Sequence, residues 1–371
     1  MRLLAICNTP LQIIELINLV YEYHKDDAVD LIISDHISGS EIIVSNARKV
    51  GIFSNVYRVK TFNYSRRLNE FETQSKTEWY SDKILRNNNL KLDCIYDELL
   101  VSNVDPFADR VFERCVKYNK DIEVAIFEDG YSTYSSLGKE ITSICEQENH
   151  SFFKKHVRNI YKIRRIACKI KKIYLMYPDR LVWKTDAKIV KVNQISRNNS
   201  ELISILNIIF NYHVNENSFN KKYIYFEECY LKEGTPSLEP LFVDIISGVV
   251  GKDNLMVKRH PRVDINRYEG KGIVTNNNTY IPWELICLNE EHINDKVLIT
   301  ISSGSVSMPI DLCGIDVHSI VLKNMVDYGS NYYQNDYYKW LERYVYKSNK
   351  DNIFLPNTID ELKKSLLESL Q

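Results

Sequence analysis

The sequence predicts an α/β protein made of two doubly wound domains with a cleft between them. Three observations lead there. Short apolar runs alternate with longer stretches of helical periodicity along the whole 371-residue chain. The apolar runs are continuous rather than alternating, as in parallel sheets covered on both faces. A polar, Asn-rich stretch from Asn193 to Ser200 interrupts the pattern, and a chain of this length suggests two domains of roughly 150 to 200 residues each. Residues 1–192 are therefore assigned to the first domain and 193–371 to the second.

The elements follow in order. "LLAIC" reads as a strand, Leu11 to His24 as a helix and "VDLIISD" as a strand. Ser40 to Val50 is a helix and "NVYRVK" a strand. After a less legible stretch come strand "ELLVSN", a helix from Pro106 to Lys117 and strand "EVAIFED". The second half opens on strand "KYIYFEE", a helix from Leu238 to Val250 and strands "NLMVKRH" and "GIVTN". A helix near Pro282 to Leu288, strand "KVLITIS", a helix from Ser305 and strand "HSIVLK" come next. An aromatic helix "YYKWLERYVY" and a last helix "IDELKKSLLESL" close the pattern. One segment departs from it. Residues 154–172, "KKHVRNIYKIRRIACKIKK", carry nine Lys/Arg and no acid, with Val157, Ile160, Tyr161, Ile163, Ala167, Ile170 and, just beyond, Tyr174 at helical spacing. A basic amphipathic helix of this kind either lies on an anionic membrane or packs its apolar stripe on the first domain.

Composition excludes several classes. Apolar residues make up 44% and charged residues 26%, ordinary for a globular protein. Lys+Arg (48) and Asp+Glu (49) nearly cancel, so no overall field favours nucleic acid. The eight cysteines are scattered without a CxxC pair and read as reduced, buried thiols rather than a disulfide frame or zinc site. The apolar stretch in "MRLLAICNTPLQ" is about five residues long, too short for a secretory leader. No run approaches the roughly 18 apolar residues of a membrane span. The expectation is a cytoplasmic protein, with peripheral contact to the inner face of the cell membrane through 154–172. Association as a homodimer is left open.

In doubly wound sheets, ligands sit beyond the carboxyl ends of the strands, and four short stretches fall there. "VAIFEDG" (124–130) ends a strand on Glu128, Asp129 and Gly130. Gly130 permits a sharp turn or positive φ, so Asp129 can serve as a general base; a turn or helix cap is the plain alternative. "VKRHPR" (257–262) delivers Lys258, Arg259 and His260 before Pro261, cations suited to a phosphate. "IPWELI" (281–286) places Glu284 in the first turn of a helix, where it can accept from ribose hydroxyls or merely favour the helix dipole. "ITISSGS" (299–305) puts Ser302 and Ser303 between a strand and a helix, as a phosphate cradle or an ordinary N-cap. GxGxxG, GxxxxGK[ST] and Asp-x-Asp are all absent. The last of these commonly holds a metal on a nucleotide-sugar pyrophosphate, so a metal-free site for a single phosphate fits better.

The order of these stretches carries more than any one of them. Acid–Asp–Gly in the first half is followed in the second by Lys-x-His-Pro, then Ile-Pro-x-Glu about twenty residues on, then Ser-Ser about twenty further. With the amino-terminal "CNTPLQ", this arrangement resembles bacterial sialyltransferases, particularly glycosyltransferase family 52 of lipooligosaccharide and capsule sialyltransferases. The resemblance spans Cys7 to Ser303, on motifs of two or three residues.

The resemblance implies a GT-B fold of two Rossmann-like domains and an inverting, metal-independent transfer from CMP-sialic acid to a hydroxyl of a bacterial surface glycan, such as a terminal galactose. No cofactor beyond the donor substrate is implied. Carried over, Asp129 would deprotonate the acceptor and His260 would stabilise the departing CMP phosphate. Ser302 and Ser303 would bind that phosphate, Glu284 the ribose, and Lys258 would line the nucleotide pocket. Glu128 would turn away into a structural bond. Three other readings stay open: a transferase using UDP-glucose or CMP-Kdo, a polysialyltransferase, and an inactive binding partner in capsule assembly.

Overall fold

The structure is a computed structural model describing residues 1–61, 83–88, 90, 92–149, 165–213, 219–229, 237–263, 265–276, 278–326, 336–347 and 351–370. The chain divides into two compact units. One comprises Met1–Asn193 with Ser204–Asn211, the other Gln194–Ile203 with Tyr212–Gln371.

The first unit is a seven-stranded sheet. Its strands are β1 (Arg2–Cys7), β2 (Ala28–Ser34), β3 (Asn55–Val59), β4 (Glu98–Val101), β5 (Glu123–Phe127), β6 (Ile170–Leu175) and β7 (Lys188–Lys191). They lie in the order β3-β2-β1-β4-β5-β6-β7, every neighbour parallel. The order reverses between β1 and β4, the topological switch at which such sheets bind ligands. The apolar runs become strands because both faces are covered: Leu3, Leu4, Leu31, Leu99, Leu100, Val124 and Ile126 are fully buried. Helices α1 (Pro10–Tyr23), α2 (Ser40–Val50), α3 (Pro106–Val116), α4 (Tyr131–Ser135) and α5 (Leu137–Asn149) follow their strands. Their starts are chemically marked. Thr9 accepts from the Gln12 N–H and Asp105 from the Ala108 N–H, and each cap precedes a proline whose missing N–H costs nothing there.

The basic segment departs from expectation. Residues 154–164 lie outside the described residues. From Arg165 the chain is not helical in the expected way: Arg165–Lys169 is a 3₁₀ turn and Ile170–Leu175 is strand β6. Tertiary pairing overrides the helical spacing here. β6 hydrogen-bonds to β5 on one side and β7 on the other. Lys172 sits beside Glu98 Oε1 at 2.9 Å and Glu123 Oε2 at 3.1 Å, and these carboxylates hold its ammonium charged despite burial. The cysteines also differ from expectation: Cys168 is exposed and Cys94, Cys145 and Cys313 are only partly buried.

The second unit is a six-stranded parallel sheet of β8 (Tyr223–Phe226), β9 (Leu255–Lys258), β10 (Val274–Thr275), β11 (Val297–Thr300), β12 (His318–Val321) and β13 (Ile353–Phe354). Their order is β10-β9-β8-β11-β12-β13, with the reversal between β8 and β11. Helix α6 (Ser200–Phe210) is divided between the units; α7 (Glu239–Val250), α8 (Trp283–Asn289), α9 (Met308–Cys313), α10 (Asp336–Leu341) and α11 (Ile359–Glu368) belong to the second. Its core joins the sheet to α7 and α11 through Tyr223, Tyr225, Val243, Ile246, Val257, Ile299, Ile320, Leu362 and Leu366. Among the described residues, no helix is long and apolar enough to cross a membrane.

Candidate functional site

In the first unit the chemistry gathers at the carboxyl ends of β1 and β5. The chain leaves β5 at Phe127, and successive side chains then part company. Glu128 turns inward and is buried. Its Oε2 accepts from the Tyr134 hydroxyl at 2.6 Å and from the Met176 N–H at 2.9 Å. It therefore ties α4 to the end of β6, the structural bond expected of it. Asp129 stays partly accessible. Its N–H donates to Thr133 Oγ1 at 2.8 Å and its carbonyl accepts from Ser132 Oγ at 3.0 Å, so its backbone is held on both sides. The carboxylate itself accepts a long bond from Thr9 Oγ1, at 3.4 Å, and has the Gln12 side-chain amide beside it as a second donor. Burial pushes the Asp129 pKa above the usual carboxylate value, and the Gln12 and Thr9 donors only partly offset it. A carboxylate so raised is a stronger proton acceptor.

Gly130 makes this turn possible. Its φ of 58° and ψ of −150° lie in a region essentially restricted to glycine, and a Cβ there would meet Leu11 Cδ2 at 3.4 Å. The stretch "CNTPLQ" completes the surroundings. Asn8 N–H donates to Gln12 Oε1 at 2.5 Å and Asn8 Nδ2 to Asp105 Oδ2 at 3.2 Å. Cys7, buried and facing the Asp129 charge, has its pKa pushed well up and remains a thiol.

In the second unit four segments converge on the carboxyl ends of the adjacent strands β9, β8 and β11. Lys258 ends β9 and is buried. Burial lowers its pKa while the Glu284 charge resists. Glu284, in the first turn of α8, has its pKa raised by burial against its own backbone N–H and Lys258. The two are electrostatically coupled without forming an ion pair. Next along the chain, Arg259 turns away: its Nη2 donates to the Val263 carbonyl at 3.0 Å. His260 is fixed at two points. Its N–H donates to Glu227 Oε2 at 3.0 Å, and its Nδ1 accepts from the Arg262 N–H at 3.1 Å. With Nδ1 an acceptor, this network assigns the proton of the neutral ring to Nε2.

The serine pair is arranged differently from the expected cradle. Ser302 N–H donates to Glu228 Oε1 at 2.6 Å and Ser302 Oγ to Glu228 Oε2 at 3.1 Å, while Thr300 Oγ1 donates to Glu228 Oε1 at 2.9 Å. Ser303 N–H donates to Thr300 Oγ1 and Ser303 Oγ to Ser305 Oγ, each at 3.1 Å. The helix expected from Ser305 is a single 3₁₀ turn, Gly304–Val306, followed by the six-residue α9. Pro309 in the first turn of α9 lacks the N–H that another residue would leave free there.

The structure thus couples Lys258 to Glu284, and it ties His260 and Ser302 to the end of β8 through Glu227 and Glu228. Sequence reading assigned neither glutamate a role. Their signal was present, because "FEE" ends β8 on two adjacent acids just as "FED" ends β5. Glu227 is itself anchored: Arg267 Nε and Nη2 donate to its Oε1 at 3.0 and 2.8 Å, and Nη2 also reaches Glu239 Oε2 at 2.7 Å. Both carboxylates are buried, so the guanidinium they share offsets charge that would otherwise be costly.

No family profile and no curated protein matches the chain in sequence. Solved structures do match its fold. The UDP-GlcNAc 2-epimerase of Methanocaldococcus jannaschii, in complex with UDP-GlcNAc and UDP, aligns with a TM-score of 0.55 at 14% identity, covering 100% of this chain and 93% of its own. A putative UDP-N-acetylglucosamine 2-epimerase from Listeria monocytogenes aligns at 0.51 and 12%, covering 100% and 87%. Arabidopsis thaliana UGT89C1 complexed with UDP aligns at 0.50 and 11%, covering 100% and 90%. Two parallel α/β units in this arrangement of strands define the GT-B fold.

Proposed function

We propose that the chain is an inverting glycosyltransferase that moves sialic acid from CMP-sialic acid to a hydroxyl of a bacterial surface glycan. One observation carries the reading: Asp129, held by its backbone before Gly130, is a carboxylate whose pKa burial raises. The acid–Asp–Gly, Lys-x-His-Pro, Ile-Pro-x-Glu and Ser-Ser series of the sialyltransferases supports the choice of donor.

In this reading Asp129 takes the proton of the acceptor hydroxyl as its oxygen bonds to the anomeric carbon. The bond from that carbon to the phosphate oxygen breaks, and its electron pair leaves with CMP. His260 Nε2–H donates to the departing phosphate, which gains charge as the bond opens. Lys258 and Glu284 take the nucleoside, the glutamate accepting from ribose hydroxyls. Ser303 and Gly304 approach the phosphate from the β11 loop, with Ser302 holding that loop to Glu228. The arrangement favours one phosphate over two. Glu228 already occupies the donors of Ser302 and Thr300 and adds a negative charge beside them, so a diphosphate meets more repulsion. The donor set needs no metal, because His260, Lys258 and backbone N–H groups supply the positive end.

Donor hydrolysis and transfer with CMP-sialic acid, UDP-glucose and CMP-Kdo, with and without EDTA, test the reading. Turnover of CMP-sialic acid that survives EDTA is expected. Turnover of UDP-glucose alone, or activity that vanishes with EDTA and returns with magnesium, would replace it with a UDP-sugar transferase. Donor binding without turnover would leave the inactive-partner reading.

A further inference from the structure

We propose that Cys145 and Cys168 form a thiol-modification site, closed to a disulfide by low-molecular-weight disulfides and reopened by thiols. Cys145 lies near the end of α5 (Leu137–Asn149) and Cys168 in the 3₁₀ turn Arg165–Lys169, two elements that pack on each other. Their sulfurs are 2.7 Å apart, closer than van der Waals contact, so bonding them requires little backbone movement.

Access and rigidity single this pair out. Cys168 is the exposed cysteine of the chain and Cys145 is partly buried, whereas Cys7, Cys115, Cys229 and Cys287 are buried. The backbone on both sides is anchored. Ile166 and Ala167 are buried beside Cys168, and Ile144 beside Cys145. The Ile166 N–H donates to Asp109 Oδ1 at 2.8 Å. Each sulfur is thus carried by an ordered element rather than by a free loop.

The chemistry balances with a small disulfide as the oxidant. The Cys168 thiolate attacks one sulfur of the reagent and releases one small thiol, leaving a mixed disulfide. The Cys145 thiolate then attacks Cys168 Sγ and releases the second small thiol. Two protein thiols are oxidised and one reagent disulfide is reduced. Because the second thiol already touches the first, the intramolecular step runs at high effective concentration and the mixed disulfide does not accumulate.

The test uses the native protein and oxidised glutathione. After incubation, free thiols are alkylated, the chain is digested with trypsin without reduction, and the peptides are mass-mapped. The basic residues between Lys154 and Arg165 place the two cysteines on separate peptides. We expect those peptides to be joined, two of the eight thiols to be lost, and reductant to restore both. Cys145→Ser, folded by circular dichroism, should instead carry glutathione stably on Cys168. Separately alkylated Cys145 and Cys168 peptides, a lasting glutathione adduct on wild-type Cys168, or a bond from Cys168 to a different cysteine would overturn the proposal.

Discussion

Replacing Asp129 by asparagine separates a catalytic carboxylate from a structural one. The change is isosteric, and the bonds that hold this turn are backbone bonds to Thr133 and Ser132, which asparagine keeps. What weakens at the side chain is the long contact with Thr9 Oγ1 at 3.4 Å and the approach of the Gln12 amide, since asparagine keeps one acceptor oxygen; the change is worth about 1 kcal/mol. Burial raises the folded pKa of Asp129 above the ordinary value of 3.8. For a group so raised, the stabilisation is full below the unfolded pKa and is lost as pH rises through the folded one. Above that raised pKa the ionised carboxylate is a standing cost, which asparagine removes. Asp129→Asn should stay within about 1 kcal/mol of wild type, on the stabilising side, in urea unfolding at pH 7. Transfer should nevertheless fall by roughly 10²- to 10⁴-fold, or about 2.7 to 5.5 kcal/mol of barrier, the worth of a positioned base. Nucleotide affinity should not change. Wild-type transfer should decline as pH falls through the raised Asp129 pKa, because protonation removes the base. A folded variant keeping more than about a tenth of the wild-type rate would refute the assignment of the base, as would an unchanged rate with lowered stability.

Further outcomes follow from the same contacts. Glu128→Gln should lower stability in urea by about 1–3 kcal/mol, because it weakens buried bonds to Tyr134 and Met176, yet cost far less transfer than Asp129→Asn. Glu284→Gln should weaken CMP binding in calorimetry by roughly 10- to 100-fold, since it turns a charged ribose acceptor into a neutral one and removes the charge facing buried Lys258. Glu228→Gln should narrow the preference for CMP over UDP by roughly tenfold in the same assay, by removing negative charge from the Ser302 loop. His260→Ala should slow turnover more than Ser302→Ala, because the imidazole offers a donor to the leaving phosphate while Ser302 Oγ is engaged with Glu228.

Much of the scaffold was legible because continuous apolar runs have few uses other than a doubly covered strand. "LLAIC" and "VDLIISD" appear as β1 and β2, and Ser40–Val50 is helical over the expected span. The segment after Lys154 was misjudged from Arg165 on. Its apolar residues do recur at helical spacing, but Ile170–Leu175 gains a full set of sheet hydrogen bonds between β5 and β7, a gain that local periodicity cannot register. The helix expected from Ser305 shrank for a local reason that was visible: Gly304 and Pro309 bracket it.

The functional groups divide along a similar line. Acid–Asp–Gly could be read in advance because a strand end followed by glycine is a local event, and Gly130 does adopt the backbone that only glycine takes readily. The sequence also determined the two-sheet α/β class, through the period of its apolar residues. It could not say that Glu228 would hold Ser302, 74 positions away, or that Arg267 would bind Glu227 from 40 positions away. Those contacts depend on strand order. β8 lies between β9 and β11, which brings the ends of "YIYFEE", "LMVKRH" and "VLITISS" side by side although long stretches of chain separate them. Burial is decided at the same level: Lys258 and Glu284 have shifted affinities for protons because folding removes water from both, a property of the packed molecule and not of either residue's neighbours in sequence.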